Sequence, residues 1–265
     1  MKKGVLLTAS KYFTGVVVGV LWGKLSGDMM NGFLGLSTMA IIAAMTNGNG
    51  GMYAALTGQY GNRSDVGAVA VLSLNDGPFF TLMALGMLGA NFPIIAFIAV
   101  LLPIAIGMLL GNLDPDIRTF LKPGETLPIP FFAFALGAGM NFATFFNPKV
   151  VVAGVTLGLM TVTLTALTGI LVFKLFREKS QIAPVAEAST AGNAVGTPAA
   201  IAAAASVAAG AGMMSPAEAQ AYKNLVEIAT LQVSLSTLTT AILCPFAVIM
   251  MDKWQKSRGI DAKAD

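Results

Sequence analysis

The sequence contains no histidine and a single cysteine, Cys244. The first absence excludes His-based metal centres, His general bases and Ser–His or Cys–His nucleophile pairs. The second excludes an internal disulfide and a cysteine metal cluster. Charge is also scarce. Asp, Glu, Lys and Arg make up 11% of the 265 residues, apolar residues make up 55%, and the mean hydropathy is +0.75. A soluble domain carries about 25% charge, and a surface this poor in charge would not stay dissolved. An all-α, polytopic membrane protein is therefore expected. No phosphate-binding loop is visible, because GVVVGVLWG at 15–23 lacks both the lysine and the spacing. The net charge of +3 reads as basic loops facing the cytoplasm, not as a nucleic-acid surface. Neither a cofactor nor a metal is expected.

A bilayer-crossing helix needs about 20 mostly apolar residues. Eight stretches qualify, at roughly 4–23, 33–56, 66–90, 92–111, 126–146, 150–174, 186–209 and 221–250. With the N-terminus inside, twelve of the sixteen basic residues fall on the cytoplasmic side. Lys24, Lys149 and Lys223 fall outside, and Lys11 lies within a span. That bias places both termini in the cytoplasm. Trp22, Tyr222 and Trp254 fall at the interfaces, where amphipathic rings belong. Residues 1–23 do not read as a cleaved signal, because Lys11 interrupts the apolar run and no small-residue cleavage site follows. The Ala-rich run 199–205 suits a helix packed inside a bundle.

Two spans are interrupted at mid-depth. The first breaks at Thr46-Asn47-Gly48-Asn49-Gly50-Gly51. The second breaks over Ser189–Pro198, with Thr46 aligning over Thr190, Gly48 over Gly192 and Asn49 over Asn193. Non-helical backbone is tolerated in a membrane only where protein buries it or where it lines a wet cavity. Paired interruptions in two halves of a chain point to a transporter binding site. By the orientation above the two broken spans run in opposite senses, so the repeat is inverted. Residues 1–91 then form an incomplete N-terminal repeat of three spans. Residues 92–265 form a C-terminal repeat of five spans with a cytoplasmic tail. A complete pair of repeats has ten spans, so a shortened form, or a start placed two spans late, is expected.

Candidate chemistry concentrates at these breaks. Asp76, in SLNDGPFF near the middle of span 66–90, is the proton-coupling candidate, since a lone intramembrane carboxylate is costly and by default functional. Thr46, Asn47, Asn49, Asn75, Thr190, Asn193 and Thr197 are candidate substrate-binding residues. Their amides and hydroxyls suit a hydroxylated solute. Half-helix N-termini after each break favour an anionic one. Lys11 is expected to snorkel to the cytoplasmic interface, the alternative being a pairing with Asp76 or an anionic substrate. Glu187 opens the second broken span as a helix-start residue, and Asn141 marks a third weak point.

At the broken helices the chain resembles the 2-keto-3-deoxygluconate permease family. The resemblance runs through FLGLSTMAIIAAMTNGNGGMYAALTGQYG (33–61), SLNDGP (73–78), LPIAIGMLLGNLDPDIRTFL (102–121), IPFFAFALGAGMN (129–141) and EASTAGNAVGTPAAIA (187–202). It implies proton-coupled uptake of a sugar acid across the bacterial inner membrane. It also implies a ten-span inverted-repeat carrier with two discontinuous crossed helices, a class that admits a homo-oligomer. The family pattern has an acidic residue where Thr46 stands and another where Asn75 stands, so either Asp76 takes that role one place along or the coupling or the choice of substrate differs. The competing expectations are sodium-coupled carriage of another organic anion or ion, and a non-transporting truncated form. An intramembrane enzyme would need a carboxylate dyad, and only Asp76 is expected at depth.

Overall fold

A computed structural model describes residues 1–27, 32–75, 77–125 and 146–264, with 127, 130, 131, 134, 138 and 143 as isolated positions between the last two stretches. Every regular element among them is helical. In chain order these are α1 (Lys2–Ser26), α2 (Thr38–Thr46), α3 (Gly50–Tyr60), α4 (Arg63–Gly67), α5 (Val69–Leu72), α6 (Phe79–Met87), α7 (Ile94–Leu113) and α8 (Pro115–Leu121). They continue with α9 (Pro148–Met160), α10 (Ala166–Leu175), α11 (Ile182–Ala186), α12 (Thr197–Gly210) and α13 (Pro216–Ser257). A π-helical segment, Thr161–Thr165, joins α9 to α10.

Among the described residues, five helices are long and apolar enough to cross a bilayer: Lys2–Ser26, Ile94–Leu113, Pro148–Leu175, Asn193–Gly210 and Pro216–Ser257. They match five of the eight expected spans. The expected span 33–56 is present as α2 and α3, separated at Asn47–Asn49. The expected span 66–90 is split as well. Arg63–Asn75 and Phe79–Met87 are inclined by 61° to each other, an interruption that the hydropathy pattern did not single out. Most of 126–146 lies outside the described residues.

Local sequence explains where each half-helix starts. Ser37 caps α2 by accepting from Ala40 N, and Asn49 caps α3 by accepting from Met52 N. Pro198 stands in the first turn of α12, where its missing N–H is harmless. Ser215 and Glu218 form a capping box at the start of α13. At 42 residues α13 is about 63 Å long, about twice a bilayer's apolar core, so it projects beyond the membrane.

Glycine pairs seat the helices closely. Gly15 faces Met45 and Thr46, and Gly19 faces Ile42, so α1 lies antiparallel against α2. Gly154 faces Leu235 and Gly158 faces Thr239, so α9 lies parallel against α13. Both pairs have the four-residue spacing that lets backbones approach in lipid, where dispersion and not water drives association. All nine residues of α2 are buried between these layers, as befits a helix that is apolar all round. By contrast, α7 buries none of its residues.

This packing predicts a contrast between glycines. Gly154→Ala or Gly158→Ala should lower the apparent melting temperature in detergent by several degrees, because overpacking costs about 1–3 kcal/mol. Gly107→Ala and Gly111→Ala on α7, where nothing among the described residues lies within 4 Å, should leave it unchanged. Equal shifts for the two pairs would contradict the assignment.

Candidate functional site

The two breaks lie against each other and satisfy each other's backbone. Ala191 N donates to Asn47 O at 3.3 Å, and Asn49 N donates to Ser189 Oγ at 3.2 Å. Other groups at the second break are served by a hydroxyl stripe on α13. Thr190 N donates to Thr240 Oγ1 at 3.0 Å, Thr237 Oγ1 donates to Ala191 O at 3.1 Å, and Thr190 Oγ1 and Ser236 Oγ are 2.8 Å apart. The first break is served from within. Thr46 Oγ1 donates to Ile42 O at 2.7 Å, and Asn47 Nδ2 donates to Ala43 O at 2.8 Å. Thr81 of α6 approaches both, lying 3.1 Å from Thr46 Oγ1 and 3.5 Å from Asn47 Nδ2. In a membrane, backbone opened this way has to be satisfied inside the protein.

A charged cluster occupies the crossing. Lys11 Nζ donates to Glu187 O at 2.7 Å, to Ser189 O at 2.6 Å and to Glu187 Oε1 at 3.3 Å. All three donors of the ammonium are thereby used. Asn75 Nδ2 donates to the same Glu187 Oε1 at 3.2 Å. Lys11 is 1% exposed, Asn75 2% and Glu187 3%. Glu187 Oε2 is buried and has no hydrogen-bond partner among the described residues. Gly48 abuts the pair: a methyl group there would collide with the Glu187 carboxylate and come within 3.0 Å of Lys11 Nζ.

This corrects two expectations. Lys11 does not snorkel to the interface but points into the crossing, because a carboxylate and two freed carbonyls there replace its hydration. Glu187 does more than begin a helix. It follows α11, and its carboxylate is an ionic partner at depth alongside Asn75, so Asp76 is not the sole candidate acid there. Asp76 itself and Asn141 lie outside the described residues.

The other candidate residues divide. Thr46, Asn47 and Thr190 are buried with internal partners, although Asn47 Oδ1 has none among the described residues. Thr197 is buried in the first turn of α12, and its hydroxyl likewise has no partner among them. Asn49 is half-buried with its carbonyl used as a cap, and Asn193 is exposed. Ser189, Thr81 and the Ser236, Thr237 and Thr240 stripe were not anticipated. The i, i+4 spacing of Ser236 and Thr240 was the available signal.

One end of the bundle carries separate ion pairs. Lys3 Nζ lies 2.5 Å from Asp65 Oδ1, and Lys2 Nζ lies 2.7 Å from Glu178 Oε1. Lys3, Arg63, Glu178, Lys179 and Asp261 help line a polar cavity of about 640 Å³ at that end.

Long apolar helices together with interrupted ones, two of them bonded to each other around a buried ionic cluster, define a polytopic helical membrane protein. The chain belongs to the 2-keto-3-deoxygluconate permease family, whose profile matches residues 1–257. It is 45% identical to 2-keto-3-deoxygluconate permease 1 of Salmonella typhimurium over 257 residues, covering 96% of this chain and 74% of the relative. It is 34% identical to the 2-keto-3-deoxygluconate permease of Bacillus subtilis over 262 residues, covering 97% and 74%. The Pectobacterium carotovorum permease is 41% identical over 202 residues, covering 75% and 63%. No solved structure matches the chain.

Gly48 offers a direct check of the crossing. Gly48→Ala should push the Glu187 carboxylate off Lys11 and reduce both thermal stability and transport. Gly58→Ala, on α3 with nothing within 4 Å, should be tolerated in both assays. Normal stability and transport in Gly48→Ala would show that the carboxylate does not pack there.

Proposed function

We propose that the protein imports 2-keto-3-deoxygluconate with protons across the bacterial inner membrane. The observation that carries this reading is the crossing itself. Two opened backbones, a buried ammonium and a buried carboxylate give one place where an anion and a proton can be bound together. The names of the Salmonella and Bacillus relatives support the choice of sugar acid. The solute's carboxylate, keto group and hydroxyls suit a site of ammonium, amide and hydroxyl groups.

The proposed orientation has both termini in the cytoplasm. It is supported by the polar cavity, where Lys3, Arg63, Arg177, Lys179 and Ala264 come together at one end of the bundle. The proposed division into inverted repeats, 1–91 and 92–265, is supported by the mutually bonded interruptions, at Asn47–Asn49 in the first part and around Ser189–Ala191 in the second. Transport then proceeds by alternating access, with the unit that carries the crossed helices moving against the remaining spans.

The test is uptake of radiolabelled 2-keto-3-deoxygluconate by permease-null cells. Uptake should be abolished by a protonophore and should not require sodium. Gradient-independent or sodium-dependent uptake would refute proton coupling. Asp76→Asn should lose proton-driven accumulation yet retain exchange of substrate across the membrane, and unchanged accumulation would remove Asp76 from the coupling machinery. Asn193→Ala should raise the apparent KM several-fold with little change in protein level, and a normal KM would assign Asn193 to structure.

A further inference from the structure

We infer that Lys11 is the residue that receives the substrate's carboxylate, and that it does so by exchanging partners with Glu187, which must first take up a proton. This deepens the transport reading above and rests on it.

The three contacts of Lys11 are unequal. Its bonds to the two carbonyl oxygens are 2.7 and 2.6 Å, whereas its contact with Glu187 Oε1 is 3.3 Å. A charge-assisted N–H···O bond is usually about 2.7–2.9 Å. The ammonium is thus anchored to the backbone of the second break and only loosely held by its counter-ion. Glu187 has a second, unused site as well. Oε1 accepts from Lys11 and Asn75, while buried Oε2 accepts nothing among the described residues. Oε2 is therefore the oxygen of the cluster on which a proton can sit without displacing a hydrogen bond made among the described residues.

Charge accounting turns this into coupling. With Lys11 positive and Glu187 negative, the buried cluster is neutral. A substrate carboxylate alone would leave one uncompensated negative charge in a low-dielectric site, which is strongly disfavoured. A proton taken from water onto Glu187 Oε2 forms a neutral acid and frees the ammonium. The substrate anion then pairs with Lys11, and the occupied cluster is neutral again. No covalent bond to substrate forms, and Lys11 stays protonated throughout. The Tyr53 phenol of α3 and the Cys244 thiol of α13 also lie within electrostatic reach of Glu187, with Asp65 acting on Tyr53. Phenol and thiol are neutral in their ordinary ranges near pH 7. Asn75 adds a dipole and no charge. Asp76, which follows it in the chain, lies outside the described residues; the exchange takes its charge as the same before and after substrate binds, so its part in coupling falls on the return of the empty carrier.

The primary experiment needs no variant. Binding of 2-keto-3-deoxygluconate to the purified full chain in lipid nanodiscs is followed by calorimetry in buffers of different ionisation enthalpy. The expected result is close to one proton taken up per substrate bound, with affinity weakening towards tenfold per unit rise in pH. Binding without proton uptake would overturn the exchange while leaving the sugar-acid reading intact. No binding at any pH would overturn both. Glu187→Gln supplies the neutral side chain permanently. Where it folds, it should bind substrate independently of pH and without proton uptake, and wild-type proton uptake in that variant would also overturn the proposal. Lys11→Gln should weaken binding by at least tenfold in either background. Unchanged affinity would remove Lys11 as the carboxylate's partner.

Discussion

A charged ammonium inside a membrane protein needs acceptors for all of its hydrogens, and Lys11 finds two of its three on carbonyl oxygens around the second break. An intact helix would have used Glu187 O and Ser189 O internally. The interruption of the second broken helix and the burial of Lys11 are therefore one structural decision. The first break is drawn into the same place by its own needs, since Asn47 O and Asn49 N both find partners on residues 189–191. Remove the ammonium, and freed carbonyls and a buried carboxylate lose their partner together. Breaking one side of a buried ion pair costs about 3–5 kcal/mol for that reason.

The rest of the described fold serves to hold this crossing. The Gly15 and Gly19 pair brings α1 close enough to α2 for Lys11 to reach across. On the other side the Gly154 and Gly158 pair sets α9 on α13, whose hydroxyl stripe then faces the second break. Thr14 and Thr168 join α1 to α10 through hydroxyls 2.8 Å apart. Small residues and hydroxyls do this work because lipid gives little hydrophobic drive for one apolar helix to seek another. α7 takes no part in the crossing and stays exposed along its length.

Much of this was legible in the sequence, and the reasons are local. Gly48, Gly50 and Gly51, and Gly192, Gly196 and Pro198, report weak helix directly, so both principal interruptions were found where they occur. Long apolar runs reported α1, α7 and α13 in the same way. The split of the expected span at 66–90 was missed, because mean hydropathy averages across so short an interruption. The site was only half legible. Thr46, Asn47 and Thr190 were correctly placed at the breaks, but their side chains turn to Ile42 O, Ala43 O and Ser236, a competition that composition does not reveal. The partnership of Lys11 with Glu187 joins residues 176 positions apart, and no periodicity carries information across that distance. Lys11 sits about two turns from the end of its helix, which made snorkelling the cheaper expectation. The structure reverses it because a carboxylate and opened backbone lie within reach.

Lys11 and Glu187 act as one unit tying the two breaks together, and a double-mutant cycle measures that union, using Lys11→Met, Glu187→Leu and the pair, with unfolding stability of the detergent-solubilised protein as the readout. Each single change should be strongly destabilising. The double variant should be less destabilised than the sum, with a coupling energy above about 1 kcal/mol. Additive losses would contradict it.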